Sequence, residues 1–240
     1  ILEQAAVRLA PLLDKKDIKE RYIFRRSVDT RHKTVTVVCS VAVVTDKVIP
    51  AEKLAVLGCA VLDEGDPMDG LVPGGEISDG RPVIVGFGPC GMFAALILAE
   101  MGYRPIVIER GDHVLARAAK VRHFLSTGEL DTETNIQFGA GGAGTFSDGK
   151  LVTRINDRRC RYVLERFAQF GAPREILMNA KPHIGTDRLL GVVAGIDSRI
   201  RELGGEIRYN TKLTGISVSG GKAVCRALVF RSKKCCNDSD

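Results

Sequence analysis

The sequence predicts an α/β chain, a small α+β module followed by a parallel βαβ layer. Two short apolar runs, Pro82–Val85 and Pro105–Ile108, flank a stretch of strong helix formers from Cys90 to Met101. Continuous apolar runs of that length suit strands buried on both faces of a parallel sheet. The turn joining the first run to the helix reads G-F-G-P-C-G, with glycines at 86, 88 and 91. Strand, glycine turn, helix and second strand occupy about 30 residues, the span of one dinucleotide-binding βαβ unit.

Ahead of that unit, Ile1 to about Leu13 has the pattern of a short helix, stopped or kinked near Pro11. Tyr22–Phe24 and Val35–Val44 are rich in β-branched and aromatic residues and read as strands. The charged segment between them, Arg25–Lys33, reads as a connection or short helix. Together these make a small α+β module in which no site is recognisable. Asp63–Gly80 is crowded with Gly, Asp and Pro and reads as a linker. The expected division is therefore a module plus linker over 1–80, a Rossmann-like domain over 81–230, and a polar, disordered tail over 231–240.

Within the βαβ unit each glycine has a separate task. Gly86 lets the chain turn sharply off the strand, and Gly88, without a Cβ, lets the backbone approach a pyrophosphate. Gly91 allows the helix to pack tightly on the strand. The unpaired N–H groups of the helix's first turn, with the positive end of its dipole, then face an anion. Glu109 closes the second strand close to the roughly 20 residues beyond the glycines at which an acid accepts hydrogen bonds from an adenosine ribose. An acid there favours a free ribose hydroxyl over a phosphorylated one.

Beyond Gly111 the segment Val114–Phe124 is expected to be helical. Gly139–Gly149 then reads G-A-G-G-A-G-T-F-S-D-G, with almost no side chain to bury. Glycine is entropically costly to fix in place, so this density implies a backbone that passes very close to something. Asp157–Phe170 reads as an amphipathic helix. K-P-H-I-G-T-D follows as a turn, with Asp187 a candidate cap for a helix over Arg188–Leu203 that ends at Gly204 and Gly205. Short strands E-I-R-Y-N and T-K-L-T-G-I-S-V-S, a turn at Gly220 and Gly221, and a strand over Lys222–Phe230 complete the domain.

Composition narrows the function classes. The net charge of +6 comes from 35 basic and 29 acidic residues that are interspersed, with 5% aromatics and no Trp. That balance is compatible with an anionic cofactor and excludes a basic, aromatic-rich nucleic-acid surface. The seven cysteines at 39, 59, 90, 160, 225, 235 and 236 are scattered without a C-x-x-C pair, which points to unpaired thiols in the cytoplasm or another reducing compartment. An organelle such as a plastid is the alternative, after loss of an N-terminal segment; the chain begins at Ile1 without methionine. Cys90 reads as a small packing residue, and no stretch approaches the length of a membrane span. His183 and Lys150 are the remaining candidates for acid–base work, without further support.

With the glycine turn, the E-R-G ending of the second strand and the glycine loop in hand, the chain resembles FAD-dependent oxidoreductases with a glutathione-reductase-like flavin domain. More narrowly it resembles a family of FAD-dependent dehydrogenases that carry GFGPxGxFAALxLAxxGxxPIVIERG after a small N-terminal module. N-x-Q-F-G-x-G-G-A-G-T-F-S-D-G-K-L is matched from Asn135 to Leu151, and K-P-H-I-G-T-D from Lys181 to Asp187. The resemblance implies hydride transfer between an organic substrate and FAD, with NAD(P)H as a possible electron donor or acceptor. It implies that Gly86, Gly88, Pro89 and Gly91 hold the pyrophosphate and Glu109 the adenosine ribose. Arg110 and Arg117 would lie along the cofactor, the backbone of Leu213 would meet the adenine, and Gly141, Gly142, Ala143, Gly144, Thr145, Phe146 and Ser147 would pass beside the flavin ring. The family places an acidic residue where this chain has Ala140. Its late strand and Gly-Asp turn have no counterpart here, so the expectation is a truncated domain with an apolar sheet edge exposed. NAD in the same glycine turn, or a non-catalytic nucleotide-binding fragment, are the competing expectations.

Overall fold

The computed structural model describes residues 1–31, 33–62, 65, 68–72, 80–147, 149–155, 157–220 and 222–229, with the backbone only for 219 and 222–229. The expected linker falls largely, and the expected tail wholly, outside these residues. The chain is mixed α/β and packs as two units, Ile1–Leu71 with Lys150–Ile184, and Val72–Gly149 with Gly185–Asp240. Lys150–Ile184, part of the span expected as one domain over 81–230, thus packs with the N-terminal residues.

In the first unit, helix α1 (Leu2–Leu9) precedes a hairpin of β1 (Glu20–Asp29) and β2 (Thr36–Val44), followed by α2 (Ala51–Val56). The expectation of a connection over Arg25–Lys33 is corrected here, because β1 continues through Arg25 and Arg26 to Asp29. A bulge between Ile23 and Arg25 resets the register, so that Arg25 pairs with Ser40 and Asp29 with Thr36. Arg25 and Arg26, adjacent on the strand and so on opposite faces, are both exposed in this two-stranded sheet and stay solvated. The small core joins Leu9 and Leu13 to Leu54. Helix α5 (Arg159–Gln169) also belongs to this unit. Arg26 ties the hairpin to the residues beyond α5: its N–H donates to Met178 O at 2.7 Å and its C=O accepts from Ala180 N–H at 2.9 Å.

The second unit holds a parallel sheet in the order β3 (Val83–Val85), β4 (Ile106–Ile108), β5 (Glu206–Arg208). Helix α3 (Pro89–Glu100) connects β3 to β4. Met92, Ala95, Leu96 and Ala99 of α3 are buried, the 3–4 spacing of one helix face. Helices α4 (Val114–Thr127) and α6 (Thr186–Glu202) follow, α6 burying Leu189, Val192, Val193, Ile196 and Ile200. An antiparallel pair, β6 (Thr211–Ser219) with β7 (Lys222–Val229), completes the unit.

Asp187 does not cap α6. That position belongs to Gly185, in left-handed backbone at φ 87°, and Asp187 sits inside the first turn, where its charge still opposes the helix dipole favourably. At the foot of the sheet, Arg81 donates to Arg104 O at 2.7 Å, to Gly204 O at 3.3 Å and to Glu206 Oε2 at 3.1 Å. The outer side of β3 carries exposed Val83 and Val85, and among the described residues β3 pairs only with β4.

Candidate functional site: a cleft at the start of helix α3

The glycine turn is built from contacts that only glycine permits. Gly86 leaves β3 at φ 92°, a left-handed conformation, and its N–H donates to Ile108 O at 2.7 Å. A Cβ on Gly91 would overlap Gly86 O, so the helix can press against the turn only without one. Gly88 occupies the N-cap of α3 with Pro89 in the first helical position, where its missing N–H forfeits nothing. A Cβ on Gly88 would meet nothing within 4 Å. The turn's outer side is therefore open, and the first-turn amides have no intrahelical partner.

Between those glycines, Phe87 is fully buried and its backbone joins three elements. Its N–H donates to Glu109 Oε2 at 2.6 Å, and its C=O accepts the Gly141 N–H at 2.8 Å. Glu109 follows β4 and is itself buried, with Oε1 accepting the Gly111 N–H at 2.7 Å. Two charge-assisted bonds to the main chain thus fix the carboxylate beside the glycine turn.

The glycine loop packs against that turn backbone to backbone. A Cβ on Gly142 would sit 2.7 Å from Pro89 Cδ, so this position cannot carry a side chain. Ala143–Phe146 form one 3₁₀ turn, Thr145 is buried, and Thr186 Oγ1 donates to Ser147 O at 2.6 Å. The loop's carbonyls converge on Arg117 of α4, a fully buried guanidinium. Its Nη1 donates to Ala140 O at 2.6 Å and Gly142 O at 2.9 Å, its Nε to Asn135 O at 3.0 Å and its Nη2 to Ile136 O at 3.0 Å. The Phe146 ring lies beneath, with the guanidinium carbon 4.8 Å from its centroid. Burial pushes the Arg117 pKa down to about 10, against the pull of Glu109, so the group remains a cation at neutral pH.

These parts enclose a cleft of about 410 Å³, a size suited to a small-molecule ligand. Of the residues named from the sequence, Gly86, Gly88, Glu109, Arg110, Gly142 and Leu213 line it. Pro89, Gly91, Gly141, Ala143, Gly144, Thr145, Phe146, Ser147 and Arg117 stand outside that lining and shape the parts that form it. The Arg117 donors named above all go to loop carbonyls, so its place is behind the loop. Gly139, the first residue of the glycine loop, lines the cleft too, and sequence reasoning missed Gln137, Phe138, Thr211 and Lys212 as further lining residues. Phe138, an exposed aromatic directly before the glycine loop, was the signal that could have drawn attention there.

Behind the turn a second polar group braces Phe87. Its ring meets Tyr209 edge-on at 6.2 Å, and the Tyr209 hydroxyl donates to Asp197 Oδ2 at 2.6 Å. Asp197 is buried and also accepts from Arg201 Nε at 2.5 Å. Burial, with the Asp197 carboxylate next, holds the Tyr209 phenol well above its ordinary pKa.

Lys150 and His183 pair with each other through an antiparallel bridge in the first unit. Cys39, Cys59, Cys90 and Cys160 are free thiols, and the described residues contain no group of His, Cys, Asp and Glu arranged to hold a metal. No described helix is long and apolar enough to cross a membrane.

No family model matches the chain. A curated protein of Clostridium beijerinckii (strain ATCC 51743 / NCIMB 8052), described as an uncharacterized protein, is 43% identical over 240 residues, an alignment that covers 91% of this chain. The chain spans 43% of that relative's length. Among solved structures, AlpK aligns at 20% identity over 64% of this chain and 28% of its own, with a TM-score of 0.29, a likeness too slight to bear on the fold.

Proposed function

We propose that the chain is part of an FAD-dependent oxidoreductase, in which a hydride passes between an organic substrate and the flavin. The observation that carries this reading is the convergence of Gly86, Gly88 and Glu109 on one cleft at the start of α3. Open space beside Gly88 and unpaired first-turn amides fit a diphosphate, and the fixed Glu109 carboxylate fits the hydroxyls of a neighbouring ribose. Gly86, Gly88 and the amides of α3 would hold the pyrophosphate, and the backbone of Leu213, which lines the same cleft, would meet the adenine. When bound, the flavin supplies the redox chemistry; the protein's share is to bind it, orient it and exclude water.

The glycine loop supports a closely applied ring, because its backbone is presented without intervening side chains. The same cleft would accept the ADP half of NAD, which is the second candidate occupant. The free thiols support a reducing compartment, and the substrate would be a small molecule recognised with the help of residues outside this chain's span of its relative.

Incubation with FAD or NAD followed by gel filtration tests the reading. Flavin absorbance that elutes with the protein is the expected result. Retention of NAD in place of FAD would move the assignment to a nicotinamide enzyme, and retention of neither would overturn it.

A further inference from the structure

Phe138 is 46% exposed, yet it is not loosely held. Asn135 Oδ1 accepts its N–H at 3.0 Å, and its C=O accepts the Asn135 N–H at 3.1 Å. Asn135 is in turn anchored through its own carbonyl to the buried Arg117. An aromatic ring is therefore presented to a cleft on a rigid turn. Over it lies Arg110, whose guanidinium carbon is 5.0 Å from the ring centroid and whose Nε is 3.3 Å from Glu133 Oε2. Both members of the Arg–Phe pair line the same cleft as Glu109.

We infer that the Arg110–Phe138 pair is the shelf on which the purine base of the bound dinucleotide stacks, with Phe138 the residue that makes the site prefer an adenine nucleotide to a bare diphosphate. This rests on the dinucleotide reading above but not on the choice between FAD and NAD, since the ADP moiety is common to both. A flat π face backed by a guanidinium plane is the surface that binds purines without hydrogen-bond readout. The geometry also divides the cleft's labour. The glycine turn takes phosphate, Glu109 takes ribose, and the shelf takes the base.

Calorimetric titration of the intact chain with ADP and with inorganic pyrophosphate provides the test, for the wild type, Phe138→Ala and Phe138→Tyr. Phe138→Ala should weaken ADP about tenfold, the loss of one stacking partner, while pyrophosphate affinity stays unchanged. Phe138→Tyr should restore ADP binding. If Phe138→Ala binds ADP as the wild type does, the shelf is wrong and the dinucleotide reading stands. If pyrophosphate weakens as much as ADP, Phe138 acts only on the loop's shape and the inference is overturned. A wild type that binds neither ligand sinks both readings.

Discussion

Arg117 Nη1 lies 2.6 Å from Ala140 O, so a helix side chain supplies the hydrogen bonds that a loop without side chains cannot make for itself. Four further carbonyls, of Asn135, Ile136, Gly139 and Gly142, share the same guanidinium. Arg117→Met keeps much of the volume but leaves those acceptors unpaired, at about 1–3 kcal/mol for each buried group. The variant should lose about 3 kcal/mol or more of stability in urea denaturation. Arg117→Lys should recover part of it, because one ammonium cannot reach every carbonyl that the planar fork does.

Glu109→Gln makes a sharper point about the cleft. Both oxygens accept backbone N–H groups, and an amide can accept only one of them. A loss of about 1–3 kcal/mol follows from the orphaned donor. Dinucleotide affinity should fall with it, which fluorescence titration with FAD would read. Unchanged affinity would remove the carboxylate from the binding role.

The glycines separate into tolerant and intolerant positions. Gly91→Ala drives a methyl group into Gly86 O, whereas a Cβ on Gly144 meets nothing within 4 Å. Thermal unfolding should show a cost of about 3 kcal/mol for the first, as backbone must move, and a change within about 0.5 kcal/mol for the second.

Tyr209 gives a pH signature. Its folded-state pKa is raised by burial and by Asp197, so below pH 10 the phenol is neutral in both folded and unfolded chains and its bond to Asp197 contributes fully. As pH rises above 10.0, the ordinary value for a tyrosine, the unfolded chain releases the proton and the folded one retains it, and stability falls. Wild type minus Tyr209→Phe, measured as unfolding free energy against pH, should therefore be flat below pH 10 and decline above it.

The parts of this unit set by local pattern were readable from residues alone. Helix α3 and the flanking strands follow from apolar runs and a glycine turn, and Glu109 from its distance beyond that turn. The misjudged segments are those where tertiary context outweighs local preference. Arg25–Asp29 looks too charged for a strand until β2 is there to pair with it while Arg25 and Arg26 stay exposed. Helix α2, six residues long, is too short to announce itself and owes its place to Leu54 meeting Leu9 and Leu13. The family resemblance set Arg117 along the cofactor, and its burial behind the loop is a matter of depth, which sequence does not show. Phe138 went unnoticed because its role depends on Arg110, distant in sequence and stacked on it in space.

The buried guanidinium has a consequence for assembly of the molecule. Instructions for the conformation of residues 139–147 are stored in a helix that precedes them, so this segment has no reason to adopt its shape until α4 is seated. Opening of α4 and opening of the glycine segment should then be a single event. Amide hydrogens at Gly141 and along α4 would exchange in step, as one cooperative block.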